Sequence, residues 1–80
     1  MDSKIGDKVY LRRVELNLTL EKLSKISGID KGYLSKIENN VFSKYSPITI
    51  NTLSKSLKVN PAWLLGMSDE KDIIKSKIRA

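Results

Sequence analysis

The chain has 80 residues, enough for one domain with a modest core and too few for two. It holds no cysteine and no histidine, which removes disulfide staples, most zinc sites and histidine-activated nucleophiles, so neither a metal or other cofactor nor an enzyme activity is expected. Basic residues outnumber acidic ones by fifteen to nine, a formal charge of +6.

That excess is unevenly spread. Residues 4–58 carry eleven basic against five acidic side chains, and residues 59–80 carry four against three. A basic surface of this kind suits a polyanion, although charge alone fits a merely solvated surface too. No apolar run reaches membrane-spanning length and no signal-peptide core follows Met1, so a soluble, cytoplasmic protein is expected.

Ser3 is placed to cap a first helix, with Asp7 in its early turns and Ile5, Val9 and Leu16 on one face. Arg13 interrupts that apolar stripe. A charge in such a place needs a partner. Asn17 and Leu18 form a connection, and Thr19 is the expected cap of a second helix ending near Ser27. Gly28 then stands where the chain must reverse, since glycine takes positive φ without a Cβ clash.

Asp30 can cap a third helix running from about Lys31 to Asn39. Leu23 before the turn and Ile29, Leu34 and Ile37 after it point inward, and Ser24 is small where a crossing helix would approach. From Leu20 to Asn39 this is the spacing of a helix-turn-helix, whose second helix enters the DNA major groove. The plain alternative is an ordinary αα-hairpin.

Asn39 and Asn40 end the third helix, and Val41–Tyr45 reads as a loop with an exposed-looking Phe42 and Tyr45 around Lys44, local loop packing being the better reading for Tyr45. Ser46-Pro47 starts a fourth helix, with Ile50, Leu53 and Leu57 as its apolar stripe. Asn60-Pro61 repeats the device for a short fifth helix carrying Trp63, Leu64 and Leu65, which Gly66 stops. From Ser68 the tail can form a short sixth helix, acidic early at Asp69, Glu70 and Asp72 and basic late at Lys75, Lys77 and Arg79. No strand candidate exists, so the expected fold is all-α, with residues 1–66 as the domain and 67–80 as its tail.

These residues together resemble the DNA-binding domain of the phage lambda repressor/Cro (Xre-type) regulators. The resemblance spans roughly Ile5 to Gly66. It rests on Leu18-Thr19, Gly28-Ile29-Asp30, Tyr33-Leu34-Ser35, Ile37-Glu38-Asn39 and the closing run Val59-Asn60-Pro61-Ala62-Trp63-Leu64-Leu65-Gly66. It implies a compact five-helix bundle that binds a double-stranded, palindromic operator, usually as a homodimer, in a transcriptional regulator of repressor type. Two positions depart from the family pattern. Leu20 stands where relatives usually carry a DNA-contacting glutamine, and Ser27 stands where an apolar residue is usual.

By the same resemblance Lys31, Gly32, Tyr33, Ser35 and Lys36 face the groove as base readers, with phosphate contact an equal alternative for Lys31. Backbone positioning falls to Thr19, Lys25, Asn39, Asn40 and Lys44, and the family pattern pairs Arg13 with Glu38. Candidate dimer contacts are Trp63, Leu64 and Met67, with Ile73, Ile74 and Ile78 from the tail; internal packing is the alternative for each, and the better reading for Trp63. Two neighbouring readings stay open. They are a restriction-modification controller and a helix-turn-helix antitoxin or protein-interaction module.

Overall fold

The computed structural model describes residues 4–69 and 71, which form five helices and no strand. They are α1 (Ile5–Glu15), α2 (Leu20–Ser27), α3 (Lys31–Glu38), α4 (Pro47–Leu57) and α5 (Pro61–Leu64). None is long and apolar enough to cross a membrane. The all-α, five-helix expectation holds. Ser68 and Asp69 are not helical, and the rest of the expected sixth helix lies outside the described residues, Lys71 excepted.

Four of the five helices start on a capping side chain. The side chains of Thr19, Asp30, Ser46 and Asn60 each accept from a backbone N–H in the first turn of α2 to α5. Each such bond satisfies a donor the helix cannot, and contributes about 1 kcal/mol. Only α1 differs. Its N-cap is Lys4, which makes no side-chain bond, and Ser3 lies outside the described residues.

The helix ends share a closure of their own. Asn17, Asn40, Lys58 and Gly66 all take positive φ just after α1, α3, α4 and α5. At each, two N–H groups reach back in the Schellman pattern, as in Val41 N–H to the Lys36 carbonyl at 3.1 Å and Asn40 N–H to that of Ile37 at 3.0 Å. Short helices therefore reverse sharply without leaving carbonyls unsatisfied.

The core gathers from all five helices. Val9, Leu23, Leu34, Ile37, Leu53, Leu57, Val59 and Leu64 form one buried cluster, with Ile5, Leu16, Leu18, Leu20, Ile29, Phe42, Tyr45 and Trp63 packed against it. Truncating a fully buried leucine here to alanine would cost about 2–5 kcal/mol. Gly6 lets α1 approach α3 closely. A Cβ there would run into the Ile37 carbonyl and the Asn40 amide, so only glycine fits.

Candidate nucleic-acid interface

The connection between α2 and α3 is held by one main-chain bond and by the side chains of Ser24, Ser27 and Asp30. Gly28, at φ 78°, donates its N–H to the Ser24 carbonyl at 2.8 Å. Ser24 Oγ donates to the Ile29 carbonyl at 2.6 Å, and Ser27 Oγ accepts from Ile29 N–H at 3.1 Å. Asp30 Oδ2 then accepts from Gly32 N–H at 2.9 Å and Tyr33 N–H at 3.3 Å. Ser27, the departure from the family pattern, thus does polar work in the turn. Neither serine hydroxyl was foreseeable from residue type, because each acts on the carbonyl or N–H of one particular turn geometry.

Three contacts fix α3 against α1. Leu34 and Ile37 are fully buried. Arg13 reaches Glu38 with two nitrogens, Nε to Oε2 at 2.6 Å and Nη2 to Oε1 at 3.1 Å, and its third, Nη1, donates to the Leu18 carbonyl at 2.8 Å. Glu38 holds the guanidinium pKa above its ordinary value, chiefly through these hydrogen bonds, against an opposing effect of burial. Asn40 completes the clamp. Its Oδ1 accepts from Gly6 N–H and its Nδ2 donates to Asp7 Oδ1, both at 3.0 Å.

With Leu34 and Ile37 inward, a 3.6-residue period puts Gly32, Ser35 and Lys36 on the opposite side of α3 and Lys31 and Tyr33 on its two flanks. Lys31, Gly32 and Lys36 are exposed, Ser35 is half-buried, and Tyr33 retains 38% exposure. Thr19, Lys25, Asn39 and Lys44 are exposed too. Among the described residues, Lys25, Lys31, Lys36 and Lys44 take part in no ion pair. Their charge is available to a polyanion.

The capping groups keep spare donors. Thr19 Oγ1 accepts from Lys22 N–H at 3.0 Å, which leaves its hydroxyl hydrogen for another acceptor. Asn39 Nδ2 donates to the Ser35 carbonyl at 2.9 Å and Asn40 Nδ2 to Asp7, and each amide has a second hydrogen left. Leu20 is half-buried against the core, so apolar packing occupies the position where relatives usually place glutamine.

Two expectations need correction. Phe42 is not a surface residue of the loop: it is half-buried and packs on the core, as does Tyr45, because the reversal at Asn40 turns the chain back across it. Leu64 is fully buried, so it is unavailable to a second subunit, whereas Met67 is 76% exposed. Trp63 is half-buried, with Lys8 donating to its carbonyl at 2.7 Å and lying 5.0 Å over its ring. Ile73, Ile74 and Ile78 lie outside the described residues.

A family described as "Helix-turn-helix domain" matches residues 6–70, most of the chain. The chain belongs to that family. This helix-turn-helix protein is similar to SinR, the master regulator for biofilm formation, whose structure was solved in complex with DNA. The two share 33% identity with a TM-score of 0.73, over 76% of this chain and 97% of that one. The N-terminal DNA-binding domain of SinR from Bacillus subtilis gives 33% and 0.72, over 76% and 88%. The P22 c2 repressor bound to synthetic operator 9T superposes with a TM-score of 0.75 at 24% identity, over 84% and 100%, which shows a shared fold. No curated protein matches the sequence. The resemblance to lambda-repressor-like regulators therefore holds for family and fold.

Proposed function

We propose that this helix-turn-helix protein is a sequence-specific, double-stranded DNA-binding regulator of repressor type, acting in the cytoplasm and reading the major groove with α3. The observation that carries the reading is the outward side of α3. It offers Gly32, Ser35 and Lys36 between Lys31 and Tyr33, on a helix whose other side is locked by Leu34, Ile37 and the Arg13–Glu38 pair. Lysine can donate to guanine O6 and N7, and Ser and Tyr can serve bases or phosphates. Gly32 brings the backbone close to the duplex. The likeness to SinR, solved with DNA, supports the same reading.

Positioning on the phosphates falls to Thr19, Lys25, Asn39, Asn40 and Lys44, through the spare donors and free charges described above. One α3 covers only a few base pairs, so selective binding calls for a homodimer on a palindromic site. Its two reading helices would stand about 34–36 Å apart on one face of the duplex. Met67, 76% exposed beyond α5, is a candidate contact in such an interface.

Selection of bound sequences from a random duplex pool tests the whole reading. A palindromic consensus with two half-sites one helical turn apart is expected. Enrichment of no sequence over the starting pool would overturn it.

A further inference from the structure

One side chain of the reading helix is met from outside it. Tyr33 sits on the flank of α3 and is 38% exposed. The ring that meets it comes from the loop. Phe42 lies with its centroid 5.0 Å from that of Tyr33, tilted by 46°. Phe42 is in turn backed by Tyr45, edge-on at 6.1 Å and 81°. Both loop rings pack against the core.

The loop can do this because the end of α3 returns it. Asn40, at φ 57°, reverses the chain, Val41 N–H closes on the Lys36 carbonyl, and Phe42 comes back beside a residue nine positions earlier. The three rings form a row from the core to the edge of the groove-facing side.

We propose that Phe42 is a positioning residue for base readout, fixing the Tyr33 ring before DNA arrives so that its free face and hydroxyl meet base edges in one place. The inference rests on the reading of α3 as the groove-facing helix. An unheld tyrosine on a helix flank samples more than one staggered rotamer and must be ordered when it binds. A tyrosine already packed on Phe42 has met that cost in folding, and preorganisation of this kind favours the duplex that fits the fixed ring over duplexes that need another. Phe42 carries no charge and sits behind Tyr33, so it adds selectivity without adding phosphate contacts.

The test compares Tyr33→Ala, Phe42→Leu, Phe42→Tyr and the Tyr33→Ala/Phe42→Leu double variant in the full chain. Each is measured on the selected duplex and its single-base-pair variants, across a salt series. Tyr33→Ala should relax preference at one or two base pairs. Phe42→Leu, which keeps the apolar volume and loses the ring, should relax the same base pairs by about two- to tenfold, the range that one aromatic contact supplies. Phe42→Tyr should restore the profile, the double variant should be no worse than Tyr33→Ala, and the salt slope should not move.

In the free protein, the aromatic resonances of Tyr33 should lose their dispersion in Phe42→Leu and keep it in Phe42→Tyr. Unchanged Tyr33 resonances in Phe42→Leu overturn the proposal whatever the DNA result. So does uniform weakening on every duplex, or losses that add in the double variant. A wild-type chain that distinguishes duplexes while Phe42→Leu matches it leaves the groove reading standing and ends this inference alone. A wild-type chain that distinguishes none ends both.

Discussion

Arg13 and Glu38 stand 25 residues apart and meet as a two-pronged ion pair, with side chains only 13% and 8% exposed. Because Arg13 also donates to the Leu18 carbonyl, one guanidinium ties α1, the α1–α2 connection and α3 together. Removing one member of such a pair strands the other away from water. Glu38→Ala is expected to cost about 3–5 kcal/mol, and a denaturant midpoint shift measures it. Arg13→Met combined with Glu38→Leu should lose less than the two single changes summed, because neither charge is then left alone. A loss below about half a kcal/mol for Glu38→Ala, the range of ordinary surface changes, would mean the pair carries no stability.

Tyr45 offers the opposite case. Its hydroxyl oxygen is buried and has no hydrogen-bond partner among the described residues. Removing an unsatisfied polar atom while keeping the ring should help, so Tyr45→Phe is expected to raise stability by up to about 1 kcal/mol. Burial is also the main reason its phenol pKa is raised. A folded pKa above the unfolded one gives stability that is complete below the ordinary value of 10.0 and is lost as pH climbs through the raised value. Between 10.0 and the raised value, stability should therefore fall more steeply with pH for the wild type than for Tyr45→Phe. Equal slopes would refute the assignment.

Much of the fold could be read in advance, and the reason is locality. Thr19, Asp30, Ser46 and Asn60 act on N–H groups two or three residues away, so residue type and spacing suffice. Gly28 belongs with them. Gly6 does not, since the carbonyl it makes room for belongs to Ile37. Phe42 and Tyr45 looked exposed because nothing nearby in the chain covers them, and the core that does cover them is a tertiary fact. In the candidate site, the outward side of α3 follows from helical period once Leu34 and Ile37 are inward. The amide of Asn40, engaged with Gly6 and Asp7, acts across more than thirty residues, and the Tyr33–Phe42 contact depends on the chain reversal at Asn40, so neither is marked by local spacing.

Lys58 was equally silent. It takes φ 58° at the end of α4, where the other helix ends use asparagine or glycine. A side chain with a Cβ is strained there, and Lys58→Gly is expected to gain about 0.5–1 kcal/mol after glycine's own entropy is counted. Thermal unfolding measures it. A lowered melting temperature would show that the lysine side chain contributes more than its backbone strain costs.

Lys36 and Lys44 separate reading from adhesion. If Lys36 reads a base, Lys36→Ala should cost about 1–3 kcal/mol on the preferred site and relax one position. Lys44, exposed in the loop, should weaken binding to all sequences alike and lower the salt slope by about one unit when changed to alanine. Binding of both variants to cognate and scrambled duplexes across a salt series distinguishes them. Equal losses on both duplexes for Lys36→Ala would make it a phosphate contact only.

The clasp around Trp63 gives this protein an optical reporter. The chain has one tryptophan, and its indole lies under two ammonium groups, Lys8 at 5.0 Å and Lys71 at 5.8 Å. Lys71 is itself held by Glu15 at 3.1 Å and by a bond from Asn60 N–H to its carbonyl at 2.8 Å. The Lys71 and Arg12 hydrogen bonds keep the Glu15 pKa below its ordinary value, so this tether is whole above the usual carboxylate range and is lost as pH falls through the lowered value. Emission from this one fluorophore should then report the weakening of the Lys71 clasp as pH falls below the usual carboxylate range, read against the helical circular dichroism of α1 to α4.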